Sequence, residues 1–303
     1  MTKINKTIII NTPKLKNGAM IMGCPYNNNS RPMEDGIHTD FKDDMSYGDY
    51  LNLAPILSSQ NPLSDQHDEM LFIIIHQASE LWLKLAGHEL SKAIQNIQEG
   101  DFGHAFKVIS RVKQILNQLT QSWNILSTLT PVDYLKFRDA LGHSSGFQSY
   151  GYRKIEFLLG NKNASLLQVH ENDPVIYQEL KQILQQPSLY DVTIKVLEKT
   201  GLKIAHSVLE RDFTQPYQKH DSVLKAWLNV YQNADEHFQL YELAEKLVDI
   251  EDSFQQWRFK HMYTVQRIIG NKAGTGGSSG VAFLKQALDI SFFPELFELR
   301  THL

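Results

Sequence analysis

The sequence predicts an all-α fold, a bundle with long antiparallel helices behind an irregular N-terminal arm. Three observations carry this. Apolar residues recur at the helical period through nearly the whole chain after Ser46. No stretch alternates polar and apolar residues as a half-buried strand would. Glycine and proline fall at the ends of the periodic segments, where helix stop and start signals belong.

Residues 1–44 form the predicted arm. They are polar and broken by Thr12-Pro13, Asn17-Gly18, Cys24-Pro25, Asn27–Asn29 and Arg31-Pro32, and they show no helical period. Residues 45–303 form the predicted helical domain. Tyr47, Tyr50, Leu51 and Leu53-Ala54 suit one short helix. Ser64 or Asp65 is a cap for a long helix that runs to about Glu99 and is closed by Gly100. The first half of that helix, MLFIIIHQASELWLKLAGHEL, is apolar nearly all round, which predicts a central, buried position. Asp101 opens a helix through Val108, Val112, Ile115 and Leu119 to about Leu129.

Thr130-Pro131 is a cap followed by proline at the first helical position. The helix it opens puts Tyr134 and Arg138 on one face and stops at Gly142. The turn His143–Gly146 leads into a helix to about Leu159, and Pro174 and Pro187 bracket another. Leu189–Thr200 is closed by Gly201, and segments 219–233 and 235–270 are long enough to pair as antiparallel helices. VAFLKQALDI and FFPELFELR end the chain as helices.

Composition narrows the function classes. A formal net charge of −4 gives no electrostatic reason to expect nucleic acid or an acidic membrane surface as partner. The single cysteine, Cys24, excludes an intrachain disulfide and a cysteine-based zinc site. The apolar run Met70–Ile75 is far too short to span a bilayer, and no segment reads as a secretory signal, so a soluble cytoplasmic protein is expected. None of the 12 histidines has glutamate three residues before it, which removes the helical di-iron pattern, and His-Glu-x-x-His is absent.

Four features remain for a small ligand. His261 lies in the apolar stripe Phe254, Trp257, Val265, Ile268, with Arg258, Lys260 and Arg267 nearby. It reads either as a core histidine or as a neutral ligand to a metal or haem iron, the basic residues then meeting anionic groups such as propionates. Phe72 and His76 share a face of the long helix. That histidine needs a partner, either Glu80 or the N–H of a ligand walled by Phe72. Arg138 beside Tyr134 suits a carboxylate fork. The loop Gly274–Gly280 lacks the Walker pattern and follows a helix. It is either a plain connection or a loop whose backbone and hydroxyls, among them Thr275, approach a ligand closely. Together these features suit an aromatic amino acid.

The segments DEMLFIIIHQASELWLK, FRDALGHSSGFQSYGYRKIEFLLGNKN and WRFKHMYTVQRIIGNKAGTGGSSG, with YGDYLNL upstream, resemble the tryptophan 2,3-dioxygenase family. The resemblance covers about Tyr47 to the C-terminus. It implies a homotetramer whose helices surround a pocket for haem b, one per subunit and ferrous when active. It also implies insertion of both atoms of O2 across the indole C2–C3 bond of L-tryptophan, giving N-formyl-L-kynurenine. His261 falls at the proximal haem ligand, and Phe72 and His76 in the distal pocket. Tyr134 and Arg138 match the residues near the substrate carboxylate, and Thr275 the hydroxyl that meets its ammonium. Ser145 and Gly146 match the distal loop against the haem. Tyr47 and Tyr50 match a helix that reaches a neighbouring subunit's site. The alternatives are a related haem oxygenase acting on another indole, or a non-catalytic haem or tryptophan sensor.

Overall fold

The computed structural model describes residues 33–303, so the first 32 residues of the expected arm lie outside the described residues. Thirteen α-helices and four short 3-10 turns make up the described structure, with no strand among the described residues, as the sequence predicts. None of these helices is long and apolar enough to cross a membrane. The chain divides into two compact units, one ending at Ser58 and the other running from Ser59 to Leu303.

In the first unit, residues 33–44 carry turns and bends. The single short helix expected next is two, α1 (Tyr47–Leu51) and α2 (Leu53–Leu57). Asn52 parts them because it takes the left-handed conformation, φ 49° and ψ 50°, which asparagine tolerates better than most residues. Ser46 and Asp49 close a reciprocal capping box at the start of α1. Tyr47 and Tyr50 are both 75% exposed.

The second unit is built on three long helices. α3 (His67–Glu99) and α4 (Phe102–Leu126) are joined by the left-handed Gly100 and the Asp101 cap, and they pack along each other. The expected cap Ser64 is used differently. Glu69, buried in the first turn of α3, reaches back to accept from the backbone N–H groups of Leu63 and Ser64 and from the Ser64 hydroxyl. A carboxylate there also meets the positive end of the helix dipole.

The chain continues through α5 (Pro131–Phe137), with Thr130 as its cap, and α6 (Tyr150–Leu159). Next come α7 (Pro174–Gln185), α8 (Leu189–Lys199), α9 (His206–Leu209) and α10 (Asp221–Gln232). α11 (Phe238–Ile269), α12 (Val281–Ala287) and α13 (Pro294–Glu298) complete it.

Two packing expectations are corrected. α10 does meet α11, but with 12 residues against 32 it covers only part of it and packs on α13 as well; the long partner of α11 is α4. The first half of α3 is not buried all round. Ile75 and Leu83 face the core, but Met70, Ile74, Leu81 and Trp82 are exposed, and α3 becomes a core helix only in its second half.

One buried cation ties the periphery to this frame. Lys162 follows α6 and its Nζ donates to the carbonyls of Ile183, Leu184 and Gln186, which closes the C-terminal end of α7. All three ammonium donors are thereby satisfied, which a fully buried lysine requires.

Candidate active site

A cavity of about 510 Å3 opens among α3, α4, α6 and α11 and is bordered by the 145–147 turn and the loop after α11. That volume lies within the usual range for a small-molecule or cofactor site. Phe72, His76, Tyr134, Ser145, Gly146, His261 and Thr275 all line it, so the structure brings together seven of the residues singled out from sequence. Arg138 is not among the lining residues. Tyr47 and Tyr50 belong to the first unit.

The α3 side supplies an aromatic and a histidine one turn apart. The rings of Phe72 and His76 lie 4.2 Å apart, and Phe72 also meets Tyr134 at 6.0 Å and Phe137 at 5.7 Å. His76 Nδ1 is 2.7 Å from the Phe72 carbonyl oxygen. A carbonyl only accepts, so Nδ1 carries the proton and Nε2 is left as an acceptor. Burial lowers the His76 pKa, against the opposing pull of the Phe72 carbonyl and the Glu80 charge. Glu80, weighed from sequence as its hydrogen-bond partner, acts only through its charge.

Across from it, the α11 side supplies His261. Burial, with a smaller effect from His76, pulls its pKa down to about 4, so the imidazole is neutral at physiological pH. Its ring stacks on Trp123 of α4, with centroids 4.5 Å apart and planes 9° apart, and Trp257 lies 5.7 Å away. Trp123 was missed from sequence, because nothing local to it marks a partner on another helix.

The Arg138 side chain crosses to the loop after α11, where Nη2 donates to the Ala273 carbonyl at 2.6 Å. Its Nε is buried with no partner. Tyr134 beside it has its hydroxyl pKa raised by burial. Thr275 Oγ1 donates to the Ser144 carbonyl, and Gly276 lies so close to Ser145 that an added Cβ would stand 2.6 Å from the serine Cβ. The glycine-rich loop is therefore laid directly on the 143–146 turn. Ser145 itself caps the 3-10 turn Gly146–Gln148, accepting from Phe147 N–H. Gly146 has open space where a side chain would begin.

Another part of the wall is polar, and it too was not foreseen. Glu156 accepts from Tyr152, Asn161, Arg153 and Arg258, all but the second on α6 or α11. Arg258, expected to be available for anionic groups, is thus committed to a buried carboxylate, and it also donates to the Ile290 carbonyl. Two guanidinium groups share this one carboxylate, and the Nε atoms of both arginines have no partner.

Among the described residues no group of three or more His, Cys, Asp or Glu side chains could hold a bare metal ion. A metal carried by a macrocycle needs only one axial side chain, and the neutral His261 fits that need. The open face at Gly146 and the unpartnered Nε atoms of Arg153 and Arg258 suit a flat group that brings hydrogen-bond acceptors at its edge.

Fold and site thus define an all-helical protein with a histidine on each of two helices lining one cavity. Comparison with known proteins is specific. The sequence model of the tryptophan 2,3-dioxygenase family matches residues 33–303. A tryptophan 2,3-dioxygenase from Shewanella woodyi is 77% identical over 286 residues, covering 93% of this chain and all of the relative. Those from Bacillus thuringiensis (strain Al Hakam) and Geobacillus thermodenitrificans are each 58% identical, covering 89% and 91% of this chain and 97% and 98% of theirs. The chain belongs to the tryptophan 2,3-dioxygenase family.

Proposed function

We propose that this chain is a haem-dependent dioxygenase that inserts both atoms of O2 across the indole C2–C3 bond of L-tryptophan, giving N-formyl-L-kynurenine. The observation that carries the reading is the pairing of two unlike histidines in one cavity. His76 has its tautomer fixed, with a free acceptor nitrogen, and His261 is neutral without a hydrogen-bonded partner among the described residues.

His261 would hold the iron of haem b, one per subunit. When bound, the haem supplies the ferrous iron at which O2 is activated. The chain's own residues hold and orient the substrate. Phe72 walls the indole, and His76 Nε2 accepts from its N–H. His76 serves as an orienting acceptor and not as a base, because the indole N–H is a very weak acid. Arg138, with Tyr134 beside it, takes the carboxylate. Thr275 has its hydroxyl hydrogen engaged by Ser144, so its oxygen faces the ammonium as an acceptor. Ser145 and Gly146 form the turn against the haem, and the loop laid over it excludes water. Fixing both reactants in one geometry provides much of the acceleration.

The assembly is a homotetramer in the cytoplasm, in which the helix carrying Tyr47 and Tyr50 reaches a neighbouring subunit's site. The exposed apolar residues Met70, Ile74, Leu81 and Trp82 on α3 favour burial against another copy.

The test is an aerobic absorbance time course of reduced, haem-loaded protein with L-tryptophan, following the Soret and product bands together. Growth of the N-formylkynurenine band supports the reading. A normal haem spectrum without product would reject it in favour of another indole or a sensor.

A further inference from the structure

We propose that Trp123 is a positioning residue for His261, its indole face setting the plane in which the imidazole meets the haem. The inference rests on the reading of His261 as axial ligand, and it concerns what holds that ligand in place.

A histidine ring turns easily about its last torsion, whose energy profile is broad and roughly two-fold. A ligating histidine is commonly held against this by donating its second N–H to a carboxylate or carbonyl. Here no protein group among the described residues takes a hydrogen bond from His261, whereas His76 does have such a carbonyl. What His261 has instead is a flat neighbour. The planes of Trp123 and His261 differ by 9° at a centroid distance of 4.5 Å, close enough that a swing of the imidazole would drive its edge into the indole. Trp257, at 32° and 5.7 Å, is too tilted to do the same.

Trp123 is itself packed into the core. It is buried near the end of α4, and its second aromatic neighbour is Trp257 at 6.0 Å. α4 and α11 pack along each other, so the stack is imposed by helix packing and does not depend on the local conformation around His261. Trp123 therefore fixes the ring's azimuth, and with it the overlap between the ligand nitrogen and the metal.

The experiment compares wild type with Trp123→Phe, which keeps a flat face, and with Trp123→Leu and Trp123→Met, which do not. Circular dichroism and thermal melts identify the variants that fold; with two non-aromatic replacements the comparison does not hang on one. Two readouts follow, transfer of haem to apomyoglobin and the iron–histidine stretching band by resonance Raman. Loss of an orienting partner should speed haem loss about tenfold or more in the non-aromatic variants. Their stretching band should shift and broaden, while Trp123→Phe stays near wild type on both. Wild-type haem retention and an unchanged band in a folded non-aromatic variant would overturn the proposal and leave the axial assignment standing. A wild-type protein that takes up no haem would overturn the axial assignment, and this proposal with it.

Discussion

The Phe72 carbonyl oxygen and His76 Nδ1, one helical turn apart and 2.7 Å from each other, decide the chemistry of the α3 wall. Without that bond either ring nitrogen of a neutral imidazole could carry the proton. With it, the helix backbone assigns the proton to Nδ1, and the nitrogen left free can only accept. The same spacing that sets Phe72 and His76 on one face thus supplies both the aromatic wall and the oriented acceptor.

The first prediction is a pH profile. Burial holds His76 below the ordinary histidine pKa of 6.5. Under the proposed function, protonation would turn Nε2 into a donor and leave the indole N–H without an acceptor. Tryptophan affinity should therefore be level around neutral pH and fall only as acidity passes below 6.5. His76→Ala should weaken transition-state binding by about 1–3 kcal/mol while haem is retained. An acid limb centred above 6.5, absent from His76→Ala, would contradict the environment described for this ring.

Gly276 gives a second test. An alanine Cβ there would stand 2.6 Å from Ser145 Cβ and 2.9 Å from its hydroxyl, so the loop or the turn must move. Either shift draws Thr275 from Ser144. Misplacement on this scale can cost up to about a hundredfold in rate. Gly276→Ala should lower kcat/KM for tryptophan strongly while haem stays bound, since His261 sits on α11. Unaltered kinetics would mean that the loop need not rest on the turn.

These contacts also show what could be read from sequence. Phe72–His76 and Tyr134–Arg138 are four-residue spacings, and most helix ends were marked by glycine, proline or a capping side chain. Arg138 was placed on a helix face; in the structure it begins a 3-10 turn and reaches Ala273, a contact no periodicity encodes. Trp123 and Glu156 matter through partners on other helices, and only the packing of α4 and α6 with the rest reveals them. The front half of α3 was misjudged for a different reason. Hydrophobicity marks a face that avoids water, but it does not say whether the same chain covers it.

Glu156 carries a third prediction. Its carboxylate is shared by two buried arginines, with Tyr152 and Asn161 completing its hydrogen bonds. Glu156→Leu would leave both guanidinium groups without their counter-charge. Breaking a buried pair from one side typically costs about 3–5 kcal/mol. Denaturant melts of the haem-free variant should show a midpoint reduced accordingly; a change under about 1 kcal/mol would place water or another anion at those arginines.

Lys162 provides the last. Its ammonium closes the end of α7 through three carbonyls at 2.6–3.2 Å, yet burial brings its pKa down to about 7 from 10.5. Between those two values the unfolded chain holds a proton that the folded chain has released. Stability contributed at this site therefore rises with pH through that window and is lowest below pH 7. Lys162→Met removes both the titration and the three hydrogen bonds, so it should cost about 1–3 kcal/mol near neutral pH. The gap between wild type and variant should then widen as the solution is made more alkaline. Urea midpoints measured from pH 6.5 to 9 decide it: a gap that stays constant would mean that the three carbonyls keep the lysine charged inside the fold.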